Sequence, residues 1–122
     1  MKRTHRPRDE RGIVAVEFVL VGAPILLVLL FAIATVGGYI VKKTQATGAA
    51  RDGARAAALS QPFPAPPAGV TVVRTSAACP PRTDPTFNTQ NVVVKATSSF
   101  NIMLPGMGVK SITETVTMRC GG

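Results

Sequence analysis

A chain of 122 residues has room for one small domain plus an anchor, and its lone histidine, His5, leaves metal-dependent hydrolysis and triad chemistry without their usual parts. The net charge of +8 does not point to nucleic acid, because five basic residues (Lys2, Arg3, Arg6, Arg8, Arg11) crowd the first twelve positions and there is no tryptophan and one tyrosine to interleave with them. Asp84 and Glu114 are the only acids beyond the helical half and nothing in their spacing pairs them, so no enzyme, cofactor or metal site is expected.

The basic start gives way to "RGIVAVEF" (11–18), in which Glu17 stands among apolar residues. From Phe18 to Val41, "FVLVGAPILLVLLFAIATVGGYIV", there is no charge. As a helix this run spans about 36 Å, enough to cross a bilayer with some tilt. Gly22 and Pro24 interrupt its first turns. Proline removes a donor and crowds the preceding turn, which predicts a kink or loosened helix there. The basic leader favours a cytoplasmic N-terminus with the remainder outside, although Lys42 and Lys43 at the far end oppose that bias.

Beyond the lysines, "TQATGAARDGARAAAL" (44–59) keeps helical composition, with Gly48 and Gly53 as its weak points. Ala46, Ala50, Ala54 and Ala58 form a ridge of small side chains. Such a ridge admits another helix at close range, or the alanines merely keep an exposed helix helical. Four prolines in "QPFPAPPAG" (61–69) end the helix and predict a semi-rigid, extended linker.

The remainder reads as strands. "VTVV" (70–73) is short and β-branched, and "VVVKATSSF" (92–100) puts Val92, Val94, Ala96, Ser98 and Phe100 on one face. "ITETVTMRC" (112–120) alternates Ile112, Val116, Met118 and Cys120 against threonines and Arg119, with Glu114 breaking the apolar side. A Pro-Gly turn in "NIMLPGMGVK" joins the last two runs, while "CPPRTDPTFNTQ" reads as an irregular loop. Three strands bury little alone, so packing on the helix or on a partner is expected. The expected fold class is α+β: a long N-terminal apolar helix, an Ala-rich extension and a small antiparallel β domain of about three strands. Cys79 and Cys120 lie too far apart for a CxxC motif. In an exported domain they read as one disulfide, worth about 3–4 kcal/mol for a loop of this size, the alternative being two separate buried thiols.

Three readings compete for "RGIVAVEF". In a plain membrane anchor Glu17 lies shallow and has no role. In a secretory signal peptide "AIA" (32–34) supplies the cleavage site, but the apolar run continues to Val41, past the usual 7–15 residues. In a prepilin-type leader the cut falls between Gly12 and Ile13, making Glu17 the fifth residue of the mature chain. Only the third gives the acid work. A carboxylate at mid-membrane costs about 3 kcal/mol on insertion scales, and such acids are functional candidates by default.

The pattern of basic leader, Gly12, four apolar residues, Glu17 and apolar helix resembles type IV prepilins. Together with "AARDGARAAAL" (49–59) and the ending "LPGMG" plus a strand closing on "MRC", it resembles the TadE family, pseudopilins of tight-adherence (Tad) pilus systems. The chain departs from that pattern in a Pro24 about one residue late, in Thr35 where many members carry a second acid, and in Asp52 for a more usual glutamate.

The resemblance implies processing at Gly12 and Ile13 by a prepilin peptidase, pairing of Glu17 with the new Ile13 amine, and lateral packing with other pilins or pseudopilins through the helix. It also implies an inner-membrane assembly platform as partner and a place in the bacterial cytoplasmic membrane, N-terminus inside. The expected division is a leader over 1–12, a transmembrane or pilin-core helix over 13–41, a helix extension over 42–60, the linker over 61–69 and the β domain over 70–122. The alternative is an uncleaved single-pass protein with a small disulfide-bonded outer binding domain.

Overall fold

The computed structural model describes residues 10–121, with side chains from residue 12 onward. The basic cluster at Lys2, Arg3, Arg6 and Arg8 lies outside the described residues. One helical rod opens the chain: α1 (Glu10–Glu17), a π-helical turn (Phe18–Gly22) and α2 (Ala23–Ala58). From Gly12 to Ala58 it holds 47 residues, a length of about 70 Å. Three strands follow, β1 (Val70–Arg74), β2 (Asn91–Asn101) and β3 (Val109–Arg119), with a short 3-10 turn at Phe87–Thr89 before β2. They form an antiparallel sheet in the order β1-β2-β3. The architecture is the α+β class expected from the sequence.

The interruption near Pro24 takes a definite form. A proline at position 24 crowds the carbonyl of Leu20 and leaves it without a donor in a regular α-helix. The wider i→i+5 turn over Phe18–Gly22 falls at that point. Gly22 admits the Phe18 ring against its own backbone, where an added Cβ would touch the ring at 3.5 Å.

The Ala-rich ridge has a different partner from the helix that its spacing suggested. Ala46, Ala50, Ala54 and Ala58 are fully buried, but under the chain's own sheet. Ala49, Gly53 and Ala57 complete the stripe, giving the i, i+3, i+4, i+7 periodicity of a core-facing helix. One part of the core joins Ala46, Ala49 and Ala50 to Val70 and Ala96. The other joins Ala54, Ala57 and Ala58 to Val92 and Val94. Small side chains on the helix let a flat, β-branched sheet approach closely, which is how three strands find enough apolar cover. The alternation expected for β2 is the observed one, with Val92, Val94, Ala96 and Ser98 buried and Phe100 half-buried.

A Schellman turn ends the helix. Ser60 takes positive φ (58°), its N–H donates to the Ala57 carbonyl and that of Gln61 to the Ala56 carbonyl. The proline linker then runs back along the rod instead of away from it, since Pro64, Pro66 and Pro67 line a groove with Gly48, Ala49 and Gly53 of α2. The β domain therefore lies beside the second half of α2, not beyond its end. The far end is closed by a disulfide between Cys79 and Cys120, whose Cα atoms are 5.7 Å apart. There the Gly121 N–H donates to the Ala58 carbonyl at 3.1 Å.

Candidate functional site

The helix start carries the residues that the sequence singled out. Gly12, Ile13 and Glu17 all lie on α1, with no break between them. Four residues apart on one helix, positions 13 and 17 share a face, with Cβ atoms about 5–6 Å from each other. Glu17 is the last residue before the π-turn, and its side chain is exposed. The structure thus places Ile13 and Glu17 four residues apart on one helix and joins Cys79 to Cys120 elsewhere, at the far end of the sheet.

The surface around Glu17 is apolar and uncovered. Phe18 is 75 % and Leu20 71 % exposed, and every large apolar residue from Ile13 to Val41 is exposed. None of the most apolar 18-residue window of the rod is buried. A soluble core helix would be covered on most sides, whereas a helix apolar all round and bare belongs in lipid or in a bundle of like helices. Glu17 is the only charged residue from Gly12 to Val41. Within an apolar layer a close pair of opposite charges is worth far more than in water, while a lone one is costly.

Several features had no clear signal in the sequence. Glu114, which interrupts the inner face of β3, is accounted for by Lys43 of α2 at 4.0 Å. That is the only ion pair among the described residues; such a long, half-exposed pair adds about 0–1 kcal/mol at most. Phe87 in the irregular loop is buried, and Gly121 at φ +96° lies against its ring, where a Cβ would approach to 2.9 Å. Asp84 shapes the same loop: the Thr86 hydroxyl and backbone N–H both donate to Oδ1, at 2.7 and 2.8 Å. The hydroxyl first, then the backbone donor, hold this carboxyl below its ordinary value of 3.8. Among the described residues no three His, Cys, Asp or Glu side chains cluster as a metal site would require.

Among the described residues, one apolar helix long enough to cross a membrane, one acid near its start and a small disulfide-closed β domain against its far half fit the class of membrane-anchored, pilin-like proteins. More particularly, residues 12–55 match the model of the family described as TadE-like protein. The matched segment begins at Gly12 and runs through the apolar span to the buried alanine stripe, so the similarity covers the rod and not the β domain. TadE-like proteins are structural, pilin-like proteins of Tad systems. Comparison with curated proteins and with solved structures finds no match.

Proposed function

We propose that the chain is a minor pilin or pseudopilin of a Tad pilus system, cut between Gly12 and Ile13 by a prepilin peptidase. It serves pilus biogenesis, and through it surface adhesion or secretion. The observation that carries this reading is the placement of Glu17 one turn above Ile13 on an apolar helix whose large side chains are exposed. Cutting after Gly12 places a new ammonium at the helix start, where the helix macrodipole already concentrates positive charge. Glu17 neutralises that charge, either on its own helix or on a neighbour's. The pair turns two costly groups into one acceptable unit and gives the helix a preference for pilin neighbours over bare lipid.

Partners in this reading are other pilins through the apolar rod, the peptidase and the inner-membrane assembly platform. The N-terminus faces the cytoplasm and the β domain the outside, the orientation favoured by the basic leader. The disulfide suits an exported domain. It would suit an uncleaved anchor equally, but that alternative leaves Glu17 without work. The test is Glu17→Gln in the native host. The reading expects the variant to be cut normally at Gly12 yet to lose co-purification with the other pilins. Unimpaired co-purification would remove the assigned role of Glu17.

A further inference from the structure

The β domain carries an apolar tip that neither its core nor the proposed assembly role uses. Between β2 and β3 the chain reads "NIMLPGMGV" (101–109), without a charge. This turn is built, not loose. Asn101 pairs with Val109 in register, Ile102 N–H donates to the Gly108 carbonyl at 3.1 Å and Met107 N–H to the Leu104 carbonyl at 3.3 Å. Gly106 and Gly108 supply the positive φ angles, +83° and +64°, that close it. Yet Met103, Met107 and Val109 are 63 %, 54 % and 64 % exposed. Hairpin tips in water are usually polar, and a contiguous apolar patch on a small domain marks a surface that meets something.

The rod shows what it meets. The Phe100 ring packs edge-on against Tyr39 of α2, centroids 5.5 Å apart. A groove of about 520 Å³ lies between the hairpin and the rod, lined by Phe100 and Met103 on one side and Ala34, Thr35, Gly38 and Val41 on the other. Those four helix residues belong to the uncharged span, below Lys42 and Lys43. Ala34 lies eight residues below Lys42, about 12 Å along the axis. With the lysine heads at the headgroups, the tip reaches a depth of about 5–10 Å, that of interfacial elements. Tyr39 and Lys110 at the same end are residue types suited to the boundary, with apolar bodies and polar ends. The internal hydrogen bonds of the turn also leave fewer bare backbone groups to face the acyl layer.

We infer that the Asn101–Val109 hairpin tip is a second membrane contact, seated in the headgroup and acyl boundary of the leaflet on the β-domain side. The occupant of the exposed apolar patch is lipid. The helix and the hairpin together hold the β domain upright at the bilayer surface, on two feet in place of one stalk. This inference rests on the rod crossing a membrane, which the experiment checks separately.

The chain has no tryptophan, so single tryptophans report directly on depth. Met103→Trp and Met107→Trp would probe the tip, Phe31→Trp the span and Thr117→Trp the remote end of β3. Each full-length variant would be reconstituted into phosphatidylcholine–phosphatidylglycerol vesicles carrying bromine either high or low on the acyl chains. Shallow bromine should remove roughly half of the emission of both tip variants, as for a group 5–10 Å below the headgroups, with deep bromine less effective. Phe31→Trp should respond most to deep bromine and Thr117→Trp to neither. Tip emission unaffected by bromine, with Phe31→Trp quenched, would overturn the inference and leave the anchor standing. A tip that is shielded but unquenched, and more so at high protein-to-lipid ratio, would overturn it in favour of a second copy. Loss of quenching at Phe31 as well would overturn the membrane reading itself.

Discussion

Gly53→Ala tests the close approach of sheet to helix. A Cβ built on Gly53 would lie 2.8 Å from Val72 Cγ1 and 3.2 Å from Val94 Cγ1. Ordinary carbon contacts fall at about 3.5–4.0 Å, so the two overlaps are roughly 1 Å and 0.5 Å. Val94 is fully buried in the central strand and is held by partners on both sides, Arg74 and Val116. Val72 is β-branched and stiff about χ1, so relief means lifting β1 off the helix. Overpacking of this kind costs about 1–3 kcal/mol. Against it stands the helix propensity gained on replacing glycine by alanine, about 1 kcal/mol.

Gly48→Ala separates the two effects, because nothing lies within 4 Å of its Cβ. It should gain the propensity alone. The difference between the variants is then the packing cost, about 1–3 kcal/mol or roughly 5- to 150-fold in an equilibrium constant. Hydrogen exchange of the β2 amides, on the full chain in detergent micelles, reads this directly. Protection of Val92, Val94 and Ala96 should rise in Gly48→Ala and fall relative to it by that factor in Gly53→Ala. Equal protection in the two variants would refute the close-approach argument.

Ser98 is 1 % exposed and its hydroxyl has no hydrogen-bond partner, so Ser98→Ala should stabilise the β domain by about 1–3 kcal/mol in the same exchange assay. A loss of stability would show that the hydroxyl is satisfied after all. Replacing both Cys79 and Cys120 by serine opens a loop of sequence separation 41 and should cost about 4 kcal/mol, read as loss of β-domain protection with the helix retained. Asp84 should titrate below 3.8 by carboxyl NMR, and Thr86→Val should raise it. Because the folded value is the lower one, the ordering that this carboxylate gives its loop is present above 3.8 and is lost as pH falls through the folded value. An unchanged titration in Thr86→Val would deny the hydroxyl that role.

The elements with strong periodicity were legible in the sequence. The bare span follows from 24 uncharged residues, Phe18 to Val41, and the inner face of β2 from its strict alternation. The alanine ridge was legible as a surface but not in its occupant. Small residues every four positions suit a helix or a sheet, and only the linker's path settles which arrives. That path was hidden, since four prolines specify an extended chain and not its direction. Glu114 looked like a flaw in β3 because its partner Lys43 lies 71 residues earlier, a pairing set by register. The loosening at Pro24 could be expected, whereas its form as a π-turn next to Glu17 depends on where the helix absorbs the extra residue. The hairpin's depth against the span follows from β2 lying alongside α2 and ending near Tyr39, which no local pattern encodes.

The processing and pairing of the helix start form the centre of this account, and the intact mass of the membrane-extracted chain tests them most directly. Extracted from cells with their prepilin peptidase, the protein should lack residues 1–12 and begin at Ile13. Extracted from cells without the peptidase, it should keep them. A chain that retains the leader in both cells would contradict the account, return Glu17 to a shallow membrane acid and leave an uncleaved anchor.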